Sequence, residues 1–349
     1  MSGRKLTRQQ QWRIDKVQNE RNERAQRKDR KVDNSLEEGL LTEPHAGLVT
    51  AHFGRQVEVE ALDGHLQGQR QRCHVRANVE SLVTGDYVSW RPHQTPEENG
   101  VVESRQPRRS LLARPDMRGV MKAIAANVDQ LLLVIAPEPE PHANLIDRYL
   151  VAAEHTDIEP ILVINKWDLM QEPQRLTAAQ QSHINGLLET YRQLGYRVLI
   201  TSAYQQQDLQ QLQDNLRDRI SVFVGQSGVG KSSLINHLLP GVDLRVGSLS
   251  EDTRKGRHTT TTAKLFHFPQ GGQLIDSPGI REFSLGYLQP EDVAQGFMEF
   301  RPFLGLCRFR DCRHQQDPGC ALKQAVEEGK IATTRFASYH HIVQSLQPE

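Results

Sequence analysis

Hydrophobic positions change their spacing several times along this 349-residue chain, and each change marks a different kind of structure. From Arg4 to Lys31 the chain is polar and basic, with Trp12 and Ile14 as almost its only large apolar residues, so this arm cannot bury a core of its own. Between Ala46 and Gln106 short alternating runs take over: Leu48-Val49-Thr50, Val57-Glu58-Val59, Cys73-His74-Val75, Tyr87-Val88-Ser89-Trp90 and Val101-Val102. Turn signals at Gly64, Gly68, Gly85-Asp86 and Asn99-Gly100 separate them, which predicts five short strands and a small barrel such as an OB-fold. Beyond Arg109 the rhythm becomes strand–helix. Leu131 to Ala136 and Pro160 to Ile164 read as buried strands with a helix over Leu145 to Glu154 between them. Arg197 to Ile200, Ile220 to Val224 and Gln273 to Ile275 read as further strands, and Lys231 to Leu239 as a helix. That alternation predicts a parallel sheet with helices on its faces. A last segment, Ala321 to Glu328, reads as helical.

Composition adds a polarity to this layout. The chain holds 43 Lys+Arg against 43 Asp+Glu, yet residues 1–32 carry 11 basic and 4 acidic side chains, a net of +7 that leaves −7 on residues 33–349. The arm is therefore either a flexible strap that neutralises nucleic-acid phosphates or a solvated tail. The first thirty residues lack an apolar run and no stretch reaches the length of a membrane span, so a cytoplasmic protein is expected. Of four cysteines, three crowd near the C-terminus, which suits a metal site in a reducing compartment. Cys73, inside a strand candidate, reads as a small buried residue.

The densest chemistry lies in Gly225-Gln226-Ser227-Gly228-Val229-Gly230-Lys231-Ser232-Ser233, which fits the phosphate-binding loop G-x-x-x-x-G-K-[ST]. Its glycines let backbone N–H groups close round phosphates, Lys231 reaches the outer phosphates, and the Ser232 hydroxyl can ligate Mg²⁺. The apolar strand before it and the helix after it are the context such a loop needs.

Two further segments select the base. Asn165-Lys166-Trp167-Asp168 follows a strand and matches N-K-x-D. An Asp carboxylate accepts from both N1–H and the exocyclic amine of guanine, and adenine offers neither donor there, so Asp168 selects GTP over ATP. Asn165 and Lys166 would brace the loop and cover the ring. Thr201-Ser202-Ala203 resembles the S-A box that meets guanine O6 through backbone N–H. Downstream, Asp276-Ser277-Pro278-Gly279 forms D-x-x-G, in which Asp276 can hold Mg²⁺ through water and the Gly279 N–H can meet the γ-phosphate. The polar segment Ser248 to Thr262, between the phosphate loop and D-x-x-G, is a candidate switch. Within it Thr260 is expected to sense Mg²⁺. Ile280 stands where many GTPases place a water-orienting Gln, so His258 is the candidate for that task.

The order of the boxes is permuted: N-K-x-D and S-A precede the phosphate loop. A circular permutation leaves the sheet intact and moves the chain ends, so the exit from D-x-x-G leads directly into the C-terminal segment. That segment holds Cys307, Cys312, His314 and Cys320, spaced C-x₄-C-x-H-x₅-C, a closed tetrahedral zinc set with no open position and hence structural. Asp317-Pro318-Gly319 supplies the turn that returns Cys320.

Together the permuted boxes, the preceding barrel and the trailing Cys₃His motif resemble the bacterial ribosome small subunit-dependent GTPase A family (RsgA, also called YjeQ), with GQSGVGKSS, GRHTTT and DSPGIREF carrying the likeness. The resemblance implies a multidomain chain: a basic extension (1–44), an OB-fold RNA-binding barrel (45–106), a permuted α/β P-loop G domain (107–283) and a zinc-binding, mainly helical domain (284–349). It further implies a Mg²⁺-dependent GTPase that assists late assembly of the small ribosomal subunit and touches 16S rRNA; a monomer away from membranes is expected, although the sequence itself leaves the oligomeric state open. Two other readings remain open from the residues: a nucleotide-gated RNA-binding scaffold, and a metal-delivering GTPase with the cysteines as cargo site.

Overall fold

The computed structural model of the chain describes residues 39–115, 120–172, 174–202, 206–242, 263–276, 288–315 and 317–346. It falls into two compact units divided between Arg108 and Arg109.

In the first unit each alternating run becomes a strand: β1 (His45–Phe53), β2 (Gln56–Ala61), β3 (Arg70–Val75), β4 (Tyr87–Arg91) and β5 (Gly100–Arg105). Their neighbour order is β1-β2-β3-β5-β4, and β4 pairs back onto β1, which closes an OB-like barrel. β3 and β5 run parallel and the other pairs antiparallel. Closure removes the exposed sheet edges, and the period-2 pattern turns Val57, Val59, Val88 and Trp90 inward onto Val49, Cys73 and Val102. Burial pushes the Cys73 thiol far up, so Cys73 packs as a small hydrophobe. The buried Asp86 carboxylate takes two hydrogen bonds from Arg108, at 2.7 and 2.8 Å, and one from the Val83 amide at 2.7 Å, anchoring the last residue of the unit.

The second unit opens on something strand–helix alternation does not predict, an antiparallel hairpin of β6 (Leu111–Pro115) and β7 (Met121–Ala126). Then come β8 (Gln130–Ile135), α1 (Ala143–Glu154), β9 (Glu159–Ile164), α2 (Ala178–Gln193), β10 (Arg197–Ile200), α3 (Gln206–Leu216), β11 (Ile220–Val224), α4 (Lys231–Leu238), β12 (Lys264–His267) and β13 (Gln273–Asp276). In space the strands lie β10-β9-β8-β11-β13-β12, parallel except for β12. β8 and β11 are buried along their whole length, as central strands covered on both faces must be. Leu212 and Leu216 of α3 and Leu234, Ile235 and Leu238 of α4 seal one cluster over Leu132, Ile161 and Phe223.

The remaining helices, α5 (Pro290–Gly296), α6 (Ala321–Glu327) and α7 (Thr333–Leu346), gather round Phe297, Phe300, Leu322, Tyr339 and Ile342. Val151 and Ala152 of α1 belong to this same cluster, so the C-terminal module shares its core with a helix of the sheet. A buried ion cluster joins them. Arg335 of α7 donates to Glu299 at 2.6 and 3.1 Å and to Asp147 of α1, which also accepts from the Tyr191 hydroxyl at 2.6 Å. Burial works to pull the Arg335 guanidinium down, and the two carboxylates more than reverse that, so it stays charged.

Candidate nucleotide site and metal centre

Strand register brings the boxes to one edge. Ile135 of β8 lies opposite Ile164 of β9, and Ile164 opposite Ile200 of β10, so Asn165 and Thr201 leave the sheet at one level. Val224 of β11 pairs with Leu133, which puts the phosphate loop beside them. In open α/β sheets the carboxyl ends of the strands are where ligands bind.

The loop itself is a cradle that only glycine allows. Gly225 has φ 133°, and a Cβ there would lie 2.1 Å from the Val134 carbonyl oxygen. Gly230, at φ 88°, caps α4, and a Cβ on it would lie 2.5 Å from Asn165 Nδ2. The first N–H groups of α4 have no intrahelical partner and favour an anion. Lys231 Nζ donates to the carbonyls of Gly225 (2.7 Å) and Gln226 (2.6 Å), which holds the ammonium over the loop. Ser227, Gly228 and Ser233 are exposed, Gln226 and Ser232 half-buried, and Val229 buried as the hydrophobic anchor.

Hydrogen bonds fasten the base box to this loop. Asn165 is buried; its Nδ2 donates to the Val229 carbonyl at 2.9 Å, and its Oδ1 accepts from Thr201 Oγ1 at 3.3 Å. Lys166 takes a left-handed backbone (φ 56°) and donates to the carbonyls of Gly228 (2.7 Å) and Glu138 (3.0 Å). Gln226 Nε2 donates to the Pro139 carbonyl at 3.1 Å, so the segment after β8 is tied to the same loop. Trp167 begins a short 3-10 turn, its N–H on the Thr201 carbonyl at 3.2 Å. Asp168 Oδ1 accepts from the Ser202 hydroxyl at 2.7 Å, which orients the carboxylate and leaves Oδ2 and further lone pairs for a base. Asp276 closes β13, half-buried.

A second centre lies in the C-terminal module. Ligand atoms of Cys307, Cys312, His314 and Cys320 all lie within 4.8 Å of one another. His314 Nδ1 is 3.5 Å from each of the three sulfurs. Zinc bond lengths at a tetrahedral angle put nitrogen and sulfur about 3.6 Å apart, so the four atoms fit one such ion. The backbone supports this: His314 adopts φ 60°, the Ala321 N–H meets Cys307 Sγ at 3.3 Å, and Cys320 caps α6. Burial pushes the Cys312 thiol up to about 12 and also raises Cys320, while it lowers His314. Thiolates crowded in such a place need a cation to exist together.

Residues 105–286 match the RsgA GTPase family, just over half of the chain. The chain belongs to the RsgA GTPase family. A relative from Azotobacter vinelandii, named small ribosomal subunit biogenesis GTPase RsgA, is 59% identical over 350 residues and covers 100% of both chains. One of the same name from Ectopseudomonas mendocina is 58% identical over 346 residues, covering 99% of this chain and 98% of its own. Among solved structures, YjeQ from Thermotoga maritima superposes with a TM-score of 0.69 at 33% identity, covering 87% of this chain and 99% of that one. YloQ, described as a circularly permuted GTPase, superposes at 0.67 with 27% identity, covering 88% and 97%.

In this member of the RsgA GTPase family the described boxes converge on one edge of the sheet. Ala203, His258, Thr260 and Gly279 lie outside the described residues. Sequence reasoning missed Thr201 and the carbonyls of Glu138 and Pro139 as braces, and it saw Ser202 only as a backbone donor. Backbone carbonyls leave no mark in side-chain identity, so no motif could have named Glu138 or Pro139. Among the described residues no helix is long and apolar enough to cross a membrane.

Proposed function

We propose that the chain hydrolyses GTP to GDP and phosphate and acts as a late assembly factor of the small ribosomal subunit, binding 16S rRNA and leaving on hydrolysis. The observation that carries this is the Asp168 carboxylate, oriented by Ser202 and locked to the phosphate loop through Asn165, in a chain 58% and 59% identical to small-subunit biogenesis GTPases. Lys231 and the loop amides hold the outer phosphates; Ser232 and Asp276 are the groups that would hold Mg²⁺. Mg²⁺, when bound, neutralises charge on the β- and γ-phosphates. Ala203 and Gly279 contribute backbone donors to guanine O6 and to the γ-phosphate. The chain works in the cytoplasm as a monomer, divided into basic extension, RNA-binding barrel, G domain and zinc domain. The test is co-sedimentation with purified small and large subunits in GDP, GTP and a non-hydrolysable analogue, with turnover measured alongside. Preference for the small subunit in the analogue, and stimulated turnover, are expected. Equal binding in all nucleotide states would leave only a scaffold whose hydrolysis is incidental.

Zinc is the ion we assign to the Cys₃His site, as a structural element. Four protein ligands leave no exchangeable position, which argues against a cargo site. Cys320→Ala is expected to abolish bound zinc and make the C-terminal module sensitive to protease, with small-subunit binding reduced and GTP affinity nearly unchanged. Elemental analysis of the wild type that finds no zinc would end the assignment.

For water activation we assign His258, with Thr260 as the Mg²⁺-sensing threonine. An imidazole can accept from water with one nitrogen and donate with the other, a task Ile280 cannot perform. His258→Ala is expected to keep GTP and subunit binding and to lose most subunit-stimulated turnover, about 10²-fold or more. Wild-type stimulated rates in that variant would shift the role to a group supplied by the ribosome.

A further inference from the structure

The zinc ligands hold out a loop whose side chains the metal does not use. Phe309 is 45% exposed and Leu306 is 68% exposed. Among the described residues Phe309 is the one exposed Phe, Tyr or Trp ring. Phe309 keeps nearly half of its surface in solvent beside exposed Leu306, so an apolar ring is left open to a partner. Around it stand Arg308, Arg310 and Arg313, all exposed. The module's other two described arginines are neutralised, Arg301 by Glu154 and Arg335 by Asp147 and Glu299. Among the described residues these three make no ion pair, and the Arg308 guanidinium lies 5.4 Å from the Phe309 ring centre.

The loop is also built to hold its shape. The Arg308 N–H donates to the Gly319 carbonyl at 3.0 Å, the Arg313 N–H to Asp317 Oδ2 at 3.1 Å, and Cys307 and Cys312 bracket the ring on both sides in the chain. A preorganised ring loses little entropy on contact. Three cations against the single Asp311 carboxylate from Leu306 to Arg313 select a polyanion. Duplex RNA would satisfy the charges and leave the ring idle, whereas an unpaired stretch offers both phosphates and a free base face.

We infer that the loop from Leu306 to Arg313 is a binding site for single-stranded RNA, in which Phe309 stacks on an unpaired base while Arg308, Arg310 and Arg313 take the flanking phosphates. The choice of RNA rests on the proposed ribosomal client; the stacking geometry rests on the loop alone.

The experiment uses the full chain as Phe309→Trp, with wild type as the baseline for the three native tryptophans. Tryptophan emission is followed on titration with an oligoadenylate of about 12 nucleotides, an abasic ribose-phosphate chain of that length, and a matching RNA duplex. Saturable quenching beyond the wild-type change is expected with oligoadenylate alone. Phe309→Ala should weaken oligoadenylate binding about tenfold, and Arg310→Ala with Arg313→Ala should flatten the salt slope by about 1.4. Zinc content and RNA-free GTP turnover should stay as in the wild type. No added quenching, or equal quenching by the abasic chain or the duplex, overturns the inference. Loss of small-subunit binding in Phe309→Ala with a silent Phe309→Trp would place a ribosomal protein on the ring and also overturn it. Quenching by oligoadenylate in a chain that ignores small subunits would uphold the loop and strike the ribosomal client instead.

Discussion

Arg335→Ala is expected to destabilise the second unit by about 3–5 kcal/mol, read as a fall in the denaturant midpoint of the full chain followed by helical signal. The residue is 1% exposed, and removal of its side chain leaves the Asp147 and Glu299 carboxylates facing each other in a space sealed by Phe297 and Tyr191. Uncompensated buried charge, more than lost attraction, sets the size of the effect. Neutralising all three partners separates these terms: Arg335→Met with Asp147→Asn and Glu299→Gln should recover most of the loss, because no charge is then left unpaired. A loss of stability below about 0.5 kcal/mol in Arg335→Ala would show that the cluster does not dock the module. The consequence reaches function through α1. Its preceding segment touches the phosphate loop through Gln226 and the base box through Lys166, and its body carries Asp147 into the C-terminal core. A chain with its module undocked would therefore bind nucleotide normally and lose any nucleotide-dependent contact between the module and the subunit.

That cluster was not legible in the sequence, and the reason is physical. Asp147 and Arg335 lie 188 positions apart, each in a helix where a charged residue looks like an ordinary solvated one. Only the packing of α1 against α7 makes them partners. By contrast, the phosphate loop, the N-K-x-D box and the Cys₃His set could be read directly, because each needs particular side chains at fixed local spacing. The five barrel strands were legible because period-2 alternation and turn residues act over a few positions. The β6–β7 hairpin was not: its Met121–Ala126 strand carries three alanines, and only Ala125 and Ala126 of it are buried, so the alternation signal is faint. The permutation could be read from box order, and the register of β8, β9 and β10 explains why it does no harm. Moving the chain ends leaves every carboxyl-terminal strand edge where it was.

Asp168→Asn should lower GTP affinity by about a hundredfold and raise affinity for xanthosine triphosphate, measured by competition against a fluorescent guanine nucleotide. In the wild type the carboxylate has acceptors only. One oxygen, Oδ1, already receives the Ser202 hydroxyl at 2.7 Å, and this fixes the plane in which the remaining lone pairs meet N1–H and the exocyclic amine. Hydrogen bonds to a charged group contribute about 1.5–3 kcal/mol each, so weakening one and replacing the other by a donor–donor clash gives about 3 kcal/mol or more. Xanthine carries a carbonyl where guanine carries the amine, and the new amide N–H₂ can donate to it. Ser202 decides how cleanly the exchange works. Its hydroxyl can keep donating to the amide oxygen, which turns the amide nitrogen toward the base; Ser202→Ala combined with Asp168→Asn should therefore blunt the gain for xanthosine triphosphate severalfold. Ser202→Ala alone should cost GTP less than about tenfold, since it removes an orienting contact and leaves the carboxylate in place. An Asp168→Asn chain that keeps its preference for GTP would show that another group reads the base.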